Sequence, residues 1–389
     1  MPGNLSYIES ALHGRHQDGK YRSLYDIESI ELPFVTVNGT KLLNLCSNDY
    51  LALSNHHRII ELSGEYLKKY GAGSRASRLV SGTHNFHTKV EESLAIWLKR
   101  ETALVFNSGF QLNSSLIAAI AKKTTHLYFD KRNHNSLVTG ALSSDAKLFR
   151  YRHLDYAHLD QLLEENASAA ADNIIVSESV FSMDGDVASI NELTKLAKKY
   201  NAILIVDEAH AIGVSGKNGR GLCYENEDVD IIIGTFGKSF GSFGAFIACN
   251  SELREYLINF CNGFIYTTAL PPSVIGSIAA ALELMPHLDD QRKYLLDLSS
   301  WFRGELSKHS FDISGSESHI IPIVTGNERS AVQLAELLKR EGYLGMAIRP
   351  PTVEPGRSRI RLTMNSLITR DHLNGFIEVI QNYVSSKDD

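Results

Sequence analysis

The densest chemical signal in the chain is Gly237-Lys238-Ser239-Phe240-Gly241, which follows the apolar run Ile231-Ile-Ile233. Three chemistries use such a string. G-x-S-x-G presents a serine nucleophile, here Ser239. G-K-S ends a phosphate-binding P-loop. A lysine in this setting can also form a Schiff base with pyridoxal phosphate (PLP). A glycine-rich surface turn is the chemically empty alternative.

The P-loop fails on spacing, because its first glycine would fall at Ile232. A hydrolase needs an acid and a histidine after the serine. Asp312 and His319 have that order, but nothing around them marks a triad. The lysine reading gains from what lies upstream. A PLP ring needs a carboxylate at its nitrogen so that it can take up electrons, a group against its face, and donors for its phosphate. Asp207 ends the apolar run 202–206, and His210 follows in position to reach the ring hydroxyl. Ser108-Gly109-Phe110 opens a helical pattern and can present N–H groups to a phosphate, and Thr235 adds a hydroxyl. Singly, each has a bland explanation: an Asp after a strand commonly caps a turn. In one order along one sheet they point to PLP.

The positioning elements follow from periodicity. Runs at 103–106, 127–129, 174–176, 202–206 and 231–233 are short, apolar and each followed by a polar residue. They read as buried strands of a mostly parallel sheet, with helices such as 190–200 as crossovers. Ligands bind at the carboxyl ends of such strands, which here carry Ser108, Asp130, Ser177-Glu178, Asp207 and Thr235. The fold class is therefore α/β. We expect an N-terminal helix and extended segment over 1–44, a large domain over 45–285 and a smaller α+β domain over 286–389, where helical stretches 291–308 and 329–341 alternate with strand-like 320–324 and 359–363.

Composition narrows the function classes. With 389 residues, 43% hydrophobic and 22% charged, the chain is an ordinary globular protein. A net charge of -6 gives no footprint for nucleic acid or an anionic membrane. The four cysteines lie far apart with no CxxC pair, so a zinc site or disulfide framework is not expected and the cytoplasm is. No metal is expected. The first thirty residues carry Glu9, Asp18, Asp26 and Glu28 and make no signal peptide. The apolar stretch 263–285 is interrupted by Pro271-Pro272, so it makes no membrane span.

Over nearly its whole length the chain resembles the α-oxoamine synthases, PLP enzymes of fold type I. The landmarks are Ser47-Asn-Asp-Tyr-Leu51, Arg78-Leu-Val-Ser-Gly-Thr-His84, Asn107-Ser-Gly-Phe110, Asn133-His-Asn-Ser136 and Phe181-Ser-Met-Asp-Gly-Asp186. They continue as Val206-Asp-Glu-Ala-His210, Gly219-Arg-Gly221, Thr235-Phe-Gly-Lys-Ser-Phe-Gly241, Tyr266-Thr-Thr-Ala-Leu-Pro-Pro272 and Arg349-Pro-Pro-Thr352. The resemblance implies that Lys238 is the Schiff-base lysine, Asp207 the partner of the ring nitrogen, and His210 the ligand of the ring oxygen. It implies that His134 stacks on the ring, with Glu178 and Ser182 bordering it. Ser108, Gly109, Phe110 and Thr235 would hold the phosphate, joined by Thr267 or Thr268 from a second subunit. Asn48 and Arg349 would orient the amino-acid carboxylate, and Arg22 and Thr352 would lie near the acyl substrate.

The implied reaction is a decarboxylative condensation at a homodimer interface. Arg349-Pro-Pro-Thr352 leans towards the 8-amino-7-oxononanoate synthase branch of biotin synthesis, which joins L-alanine to a pimeloyl thioester of coenzyme A or a carrier protein. Relatives that use glycine with acetyl-CoA (2-amino-3-ketobutyrate ligase) are the alternative, and a non-catalytic partner subunit would lack the lysine. Two departures touch substrate-side loops. Arg75 and Ala76 stand where the family commonly has glycines, and Glu354 precedes Pro355 in Thr352-Val-Glu-Pro-Gly356.

Overall fold

In the computed structural model, which describes residue 5 and residues 7–167 and 171–388, every expected strand is present. Residues 1–4 and 6 of the expected N-terminal segment, and residue 389, lie outside the described residues. The chain forms two compact units. One comprises Asp49–Ser182 and Val187–Lys293, the other Met1–Asn48, Met183–Asp186 and Tyr294–Asp389.

The first unit is built on a seven-stranded sheet. Its strands in chain order are β1 (Thr102–Phe106), β2 (His126–Asp130), β3 (Lys147–Tyr151), β4 (Asn173–Glu178), β5 (Ile203–Asp207), β6 (Ile231–Thr235) and β7 (Ala245–Cys249). In space they run β1-β7-β6-β5-β4-β2-β3. The five from β3 to β6 pair in parallel, as the apolar runs predict. β7 is antiparallel to both its neighbours, because residues 236–244 fold back as a hairpin rather than cross over. Every residue of β4 and β7 is buried, which explains their unbroken apolar composition. Leu104, Phe106, Leu127, Phe129, Ile174, Val176, Ile205, Ile231 and Ile233 share one core with Leu112, Leu116 and Ile117 of the helix Gly109–Ile120. That packing fixes the start of the helix against the ends of the strands.

The second unit carries two small sheets. Ile27–Glu31, Phe34–Val37 and Thr40–Asn44 form an antiparallel meander, and Tyr343–Leu344 adds in parallel to its last strand. The hairpin after Val37 turns on Asn38-Gly39, whose φ values of 51° and 71° suit a tight turn of two left-handed residues. The other sheet is antiparallel, with Ser358–Thr363 between Ile320–Gly326 and Met346–Ile348. Met183–Asp186 belongs to this unit. Asp184 forms a buried ion pair with Arg359, and the Gly185 carbonyl accepts from the Glu317 and Ser318 N–H groups at 3.0 Å each.

Candidate active site

The polar ends of the parallel strands converge in the first unit. The Asp207 carboxylate, at the end of β5, is 5% exposed. Its Oδ1 accepts the Ala209 N–H at 2.9 Å and its Oδ2 accepts from Asn113 Nδ2 at 2.8 Å. Asn113 lies on the buried face of the helix Gly109–Ile120. Two residues past Ala209's neighbour Glu208, the chain presents His210. Its ring bridges Tyr50 Oη, 2.7 Å from Nδ1, and Lys238 Nζ, 2.7 Å from Nε2. Lys238 itself stands on the β6–β7 hairpin. Gly241 closes that turn through its N–H to the Lys238 carbonyl at 2.9 Å. With φ +60°, a Cβ there would stand 2.3 Å from the Ser54 nitrogen, so the turn requires glycine.

Glu178 ends β4 directly opposite Asp207 in the ladder. Its Oε1 accepts the His134 N–H at 2.5 Å. Burial, reinforced by the Asp207 charge, pushes its pKa well above the usual carboxylate range. His134 caps the helix Asn135–Leu142 with its own imidazole, Nδ1 accepting the Ser136 N–H at 3.3 Å. His134 as a whole remains exposed. Desolvation pulls its pKa down; Asp207 opposes that shift and Lys238 adds to it.

The start of the helix Gly109–Ile120 is uncrowded at Gly109. The Ser108 hydroxyl caps that helix by accepting the Gln111 N–H at 3.2 Å. A Cβ on Gly109 would meet nothing within 4 Å, and Phe110 is exposed. Orphan N–H groups at a helix start favour an anion. Asn107, just before the cap, donates to the Thr268 carbonyl at 2.8 Å and to Thr267 Oγ1 at 3.3 Å within the same chain. Thr235 Oγ1 donates to the Gly244 carbonyl at 3.0 Å and accepts the Gly237 N–H at 3.1 Å, so it braces the lysine hairpin. Ser182 is buried after the end of β4.

The other expected residues lie in the second unit, where three of them meet. Arg22 Nη2 donates to Thr352 Oγ1 at 3.1 Å, and Arg349 donates to the carbonyls of Gly19 at 2.5 Å and Tyr21 at 3.1 Å. Asn48 is half-buried next to Ser47, whose carbonyl accepts from Thr363 Oγ1 at 2.7 Å.

Several candidates are spent elsewhere. Ser239 is fully buried, and its Oγ bonds no described residue. Asp312 is held by Arg357 at 2.9 Å and by the Ser314 N–H at 2.8 Å. A hydrolase would need an accessible nucleophile, so that reading fails. Asp130 at the end of β2 is tied to His153 and to the N–H groups of Arg132 and Leu154, and it is structural. Arg75 reaches the Tyr70 carbonyl at 3.1 Å, at the end of the helix His57–Tyr70.

Two residues of the site were not assigned from sequence. Asn113 shows there as a polar residue beside Leu112 and Leu116 on an apolar helix face. Tyr50 lies inside a quoted motif, but only the fold brings it to His210.

Comparison with known proteins places these features in a wider set. The profile of the aminotransferase class I and II family matches residues 40–380. A Desulfosudis oleivorans protein, provisionally named an 8-amino-7-oxononanoate synthase, is 43% identical over 94% of this chain and 95% of its own length. A serine palmitoyltransferase from S. paucimobilis, solved with bound PLP–myriocin aldimine, superposes with a TM-score of 0.92 at 25% identity, covering 97% of this chain and 96% of its own. The 8-amino-7-oxononanoate synthase of Francisella tularensis superposes with a TM-score of 0.78 at 28% identity, over 90% of this chain and 99% of its own.

Proposed function

The chain belongs to the class I and II aminotransferase family, among its α-oxoamine synthases, and on that premise we propose that it condenses L-alanine with a pimeloyl thioester. The products are 8-amino-7-oxononanoate, carbon dioxide and the free thiol. The observation that carries the chemistry is Lys238 Nζ held 2.7 Å from His210 Nε2 in the unit where a buried Asp207 ends the neighbouring strand. The choice of substrates rests on the relatives' names and on Arg349-Pro-Pro-Thr352.

The residues fit PLP. An open Gly109 at a capped helix start suits its phosphate, a fixed carboxylate suits its ring nitrogen, and the Lys238 amine beside His210 suits its aldehyde. In this reading Lys238 holds the cofactor. Asp207 pairs with the ring nitrogen and His210 with the ring oxygen, while His134 covers a face bordered by Glu178 and Ser182. Ser108, the N–H groups of Gly109 and Phe110, Thr235 and a hydroxyl from Thr267 of the partner subunit or Thr268 of the partner subunit take the phosphate. PLP supplies an electron sink for the α-carbon of the amino acid. Lys238 Nζ, when free, removes the α-proton and later returns one. His210 Nε2 is placed to exchange a hydrogen bond with that amine. Asn48 and Arg349 orient the amino-acid carboxylate. Arg22, fixed by Thr352, offers a planar fork to the distal carboxylate of the acyl chain.

A second copy of the chain completes the site in this reading. Phe110 and Tyr266, the latter 82% exposed, flank the Asn107–Thr268 contact and suit a partner surface. All four cysteines are unpaired, as in a cytoplasmic protein. Among the described residues no helix is long and apolar enough to cross a membrane.

The test is direct. The purified protein should show a visible absorbance band that borohydride removes, leaving a pyridoxyl group on Lys238 by peptide mapping. Lys238→Ala should keep the fold and abolish turnover; near-normal activity in that variant would overturn the mechanism. The TM-score of 0.92 with a serine palmitoyltransferase keeps other α-oxoamine synthase substrates in view. Alanine, glycine and serine should therefore be assayed against pimeloyl, acetyl and palmitoyl thioesters. Turnover confined to another pair would reassign the substrates and leave the reaction class intact.

A further inference from the structure

The polar groups around Asp207 do more than hold it, because their donors and acceptors have a direction. Asn113 Nδ2 donates to Asp207 Oδ2 at 2.8 Å and to Ser136 Oγ at 2.9 Å. A carboxylate offers only lone pairs, so the nitrogen side of the amide must face it. The Asn113 Oδ1 accepts from no described residue, so the amide is held by its donors alone. Both hydrogens of that amide are thereby used, and the Ser136 oxygen receives one of them.

A hydroxyl has a single hydrogen to give. The Ser136 oxygen has two lone pairs, one of them taken by Asn113, and it lies 2.7 Å from His134 Nδ1. The Ser136 N–H reaches the same Nδ1 at 3.3 Å. That N–H makes Nδ1 an acceptor, so the short contact with Oγ is filled by the Ser136 hydrogen and no proton sits on this ring nitrogen. The neutral imidazole must then carry its proton on Nε2.

We infer that Asn113 and Ser136 form a one-way donor chain that holds His134 as the neutral imidazole protonated at Nε2, which makes both of them positioning residues for the histidine that faces the cofactor. The chain links the carboxylate at the ring nitrogen to the imidazole on the ring face through four residues of three elements: β5, the helix Gly109–Ile120 and the start of the helix Asn135–Leu142. The geometric part stands on the protein alone; its bearing on catalysis rests on the PLP reading above.

The charged groups facing His134 are Glu178, which accepts its main-chain N–H, and Asp207 and Lys238, which act on the ring through space. All three stay in place when Ser136 is changed. The variant thus isolates the hydroxyl.

The experiment is ¹⁵N-histidine NMR of the apoprotein, with the His134 signal identified as the one of fifteen lost in His134→Asn. The unvaried protein should show a bare Nδ1 and a protonated Nε2. In Ser136→Ala, a smaller residue well tolerated in a helix, the two forms should mix and His134 should titrate at higher pH, because only the longer main-chain N–H contact then faces Nδ1. In the holoenzyme the acid limb of the rate profile should move up with it. The variant's kcat should fall about tenfold, as loss of one hydrogen bond of about 1.4 kcal/mol implies, with KM for alanine little changed. A proton on Nδ1 in the unvaried protein would overturn the proposal whether or not any variant folds. So would a Ser136→Ala protein whose histidine form and titration are unchanged. Absence of a visible band on Lys238 would instead sink the PLP reading, and the apoprotein spectra would still stand.

Discussion

Arg75 shows how a single position can look functional in a sequence and be explained by its backbone. It adopts φ +68°, in the left-handed region where glycine is at ease. Its guanidinium compensates by capping the end of the helix His57–Tyr70 at the Tyr70 carbonyl. Arg75→Gly would relieve backbone strain, lose one hydrogen bond and free the unfolded chain. These effects are each about 1 kcal/mol, so stability should move by less than about 1 kcal/mol in urea titration. The substrate KM should not change. The pentapeptide 237–241, Asp207 and His210 were legible from sequence because each follows an apolar run. Asn113 and Tyr50 were not, because their meaning lies in partners 94 and 160 residues away. No local pattern records such a meeting.

Elements in this chain are tied down by buried carboxylates. Glu208, fully buried, accepts the Leu222 N–H at 2.6 Å and the Cys223 N–H at 3.3 Å, and so pins the segment around Gly219-Arg-Gly221. Gly221 allows this approach: a Cβ there would fall 2.1 Å from Glu208 Oε2. Burial raises the Glu208 pKa to about 7. A carboxyl whose folded pKa is raised binds its proton more tightly in the folded state, so its ionisation costs stability as pH rises from about 4.5 to about 7. That cost is of the order of 3 kcal/mol. Glu208→Gln should flatten the pH dependence of the denaturation midpoint across this window; an unchanged slope would count against it.

The Asp184–Arg359 pair works differently. Both partners are under 4% exposed in their side chains, and Asp184 Oδ1 also accepts from Ser314 Oγ at 2.6 Å. Asp184→Ala would strand a buried guanidinium and should cost about 3–5 kcal/mol in chemical denaturation. Asp184→Ala with Arg359→Met should recover much of that loss. The sequence offers Phe181-Ser-Met-Asp-Gly-Asp186 as a motif, yet its ion-pair partner lies 175 residues on. By contrast, the Asn38-Gly39 hairpin could have been read in advance, since that dipeptide between alternating residues is a strong turn signal.

At the scale of the whole molecule, the α/β class and the mostly parallel sheet follow from apolar runs with polar ends. Two strands escape that pattern. β3 carries Lys147 and Arg150 on exposed positions, as an edge strand does, and reads as a polar stretch. β7 looks like any other buried run, and only its hairpin makes it antiparallel. Its place between β6 and β1 has a consequence for how the protein is made. Among the described residues β1 has β7 as its only partner in the sheet. Residues 102–106 therefore wait, during synthesis, until residues 245–249 have left the ribosome. The helix that follows β1, whose start is proposed to take the phosphate, lies next to them in the chain. Long-range pairing of this kind slows folding and leaves the early segment exposed meanwhile. A chain ended after residue 244 keeps Lys238, Asp207 and His210, yet it should neither close its sheet nor retain PLP on gel filtration. If the shortened chain fails on both counts, cofactor capture is a late event in the life of the nascent chain, timed by one antiparallel strand.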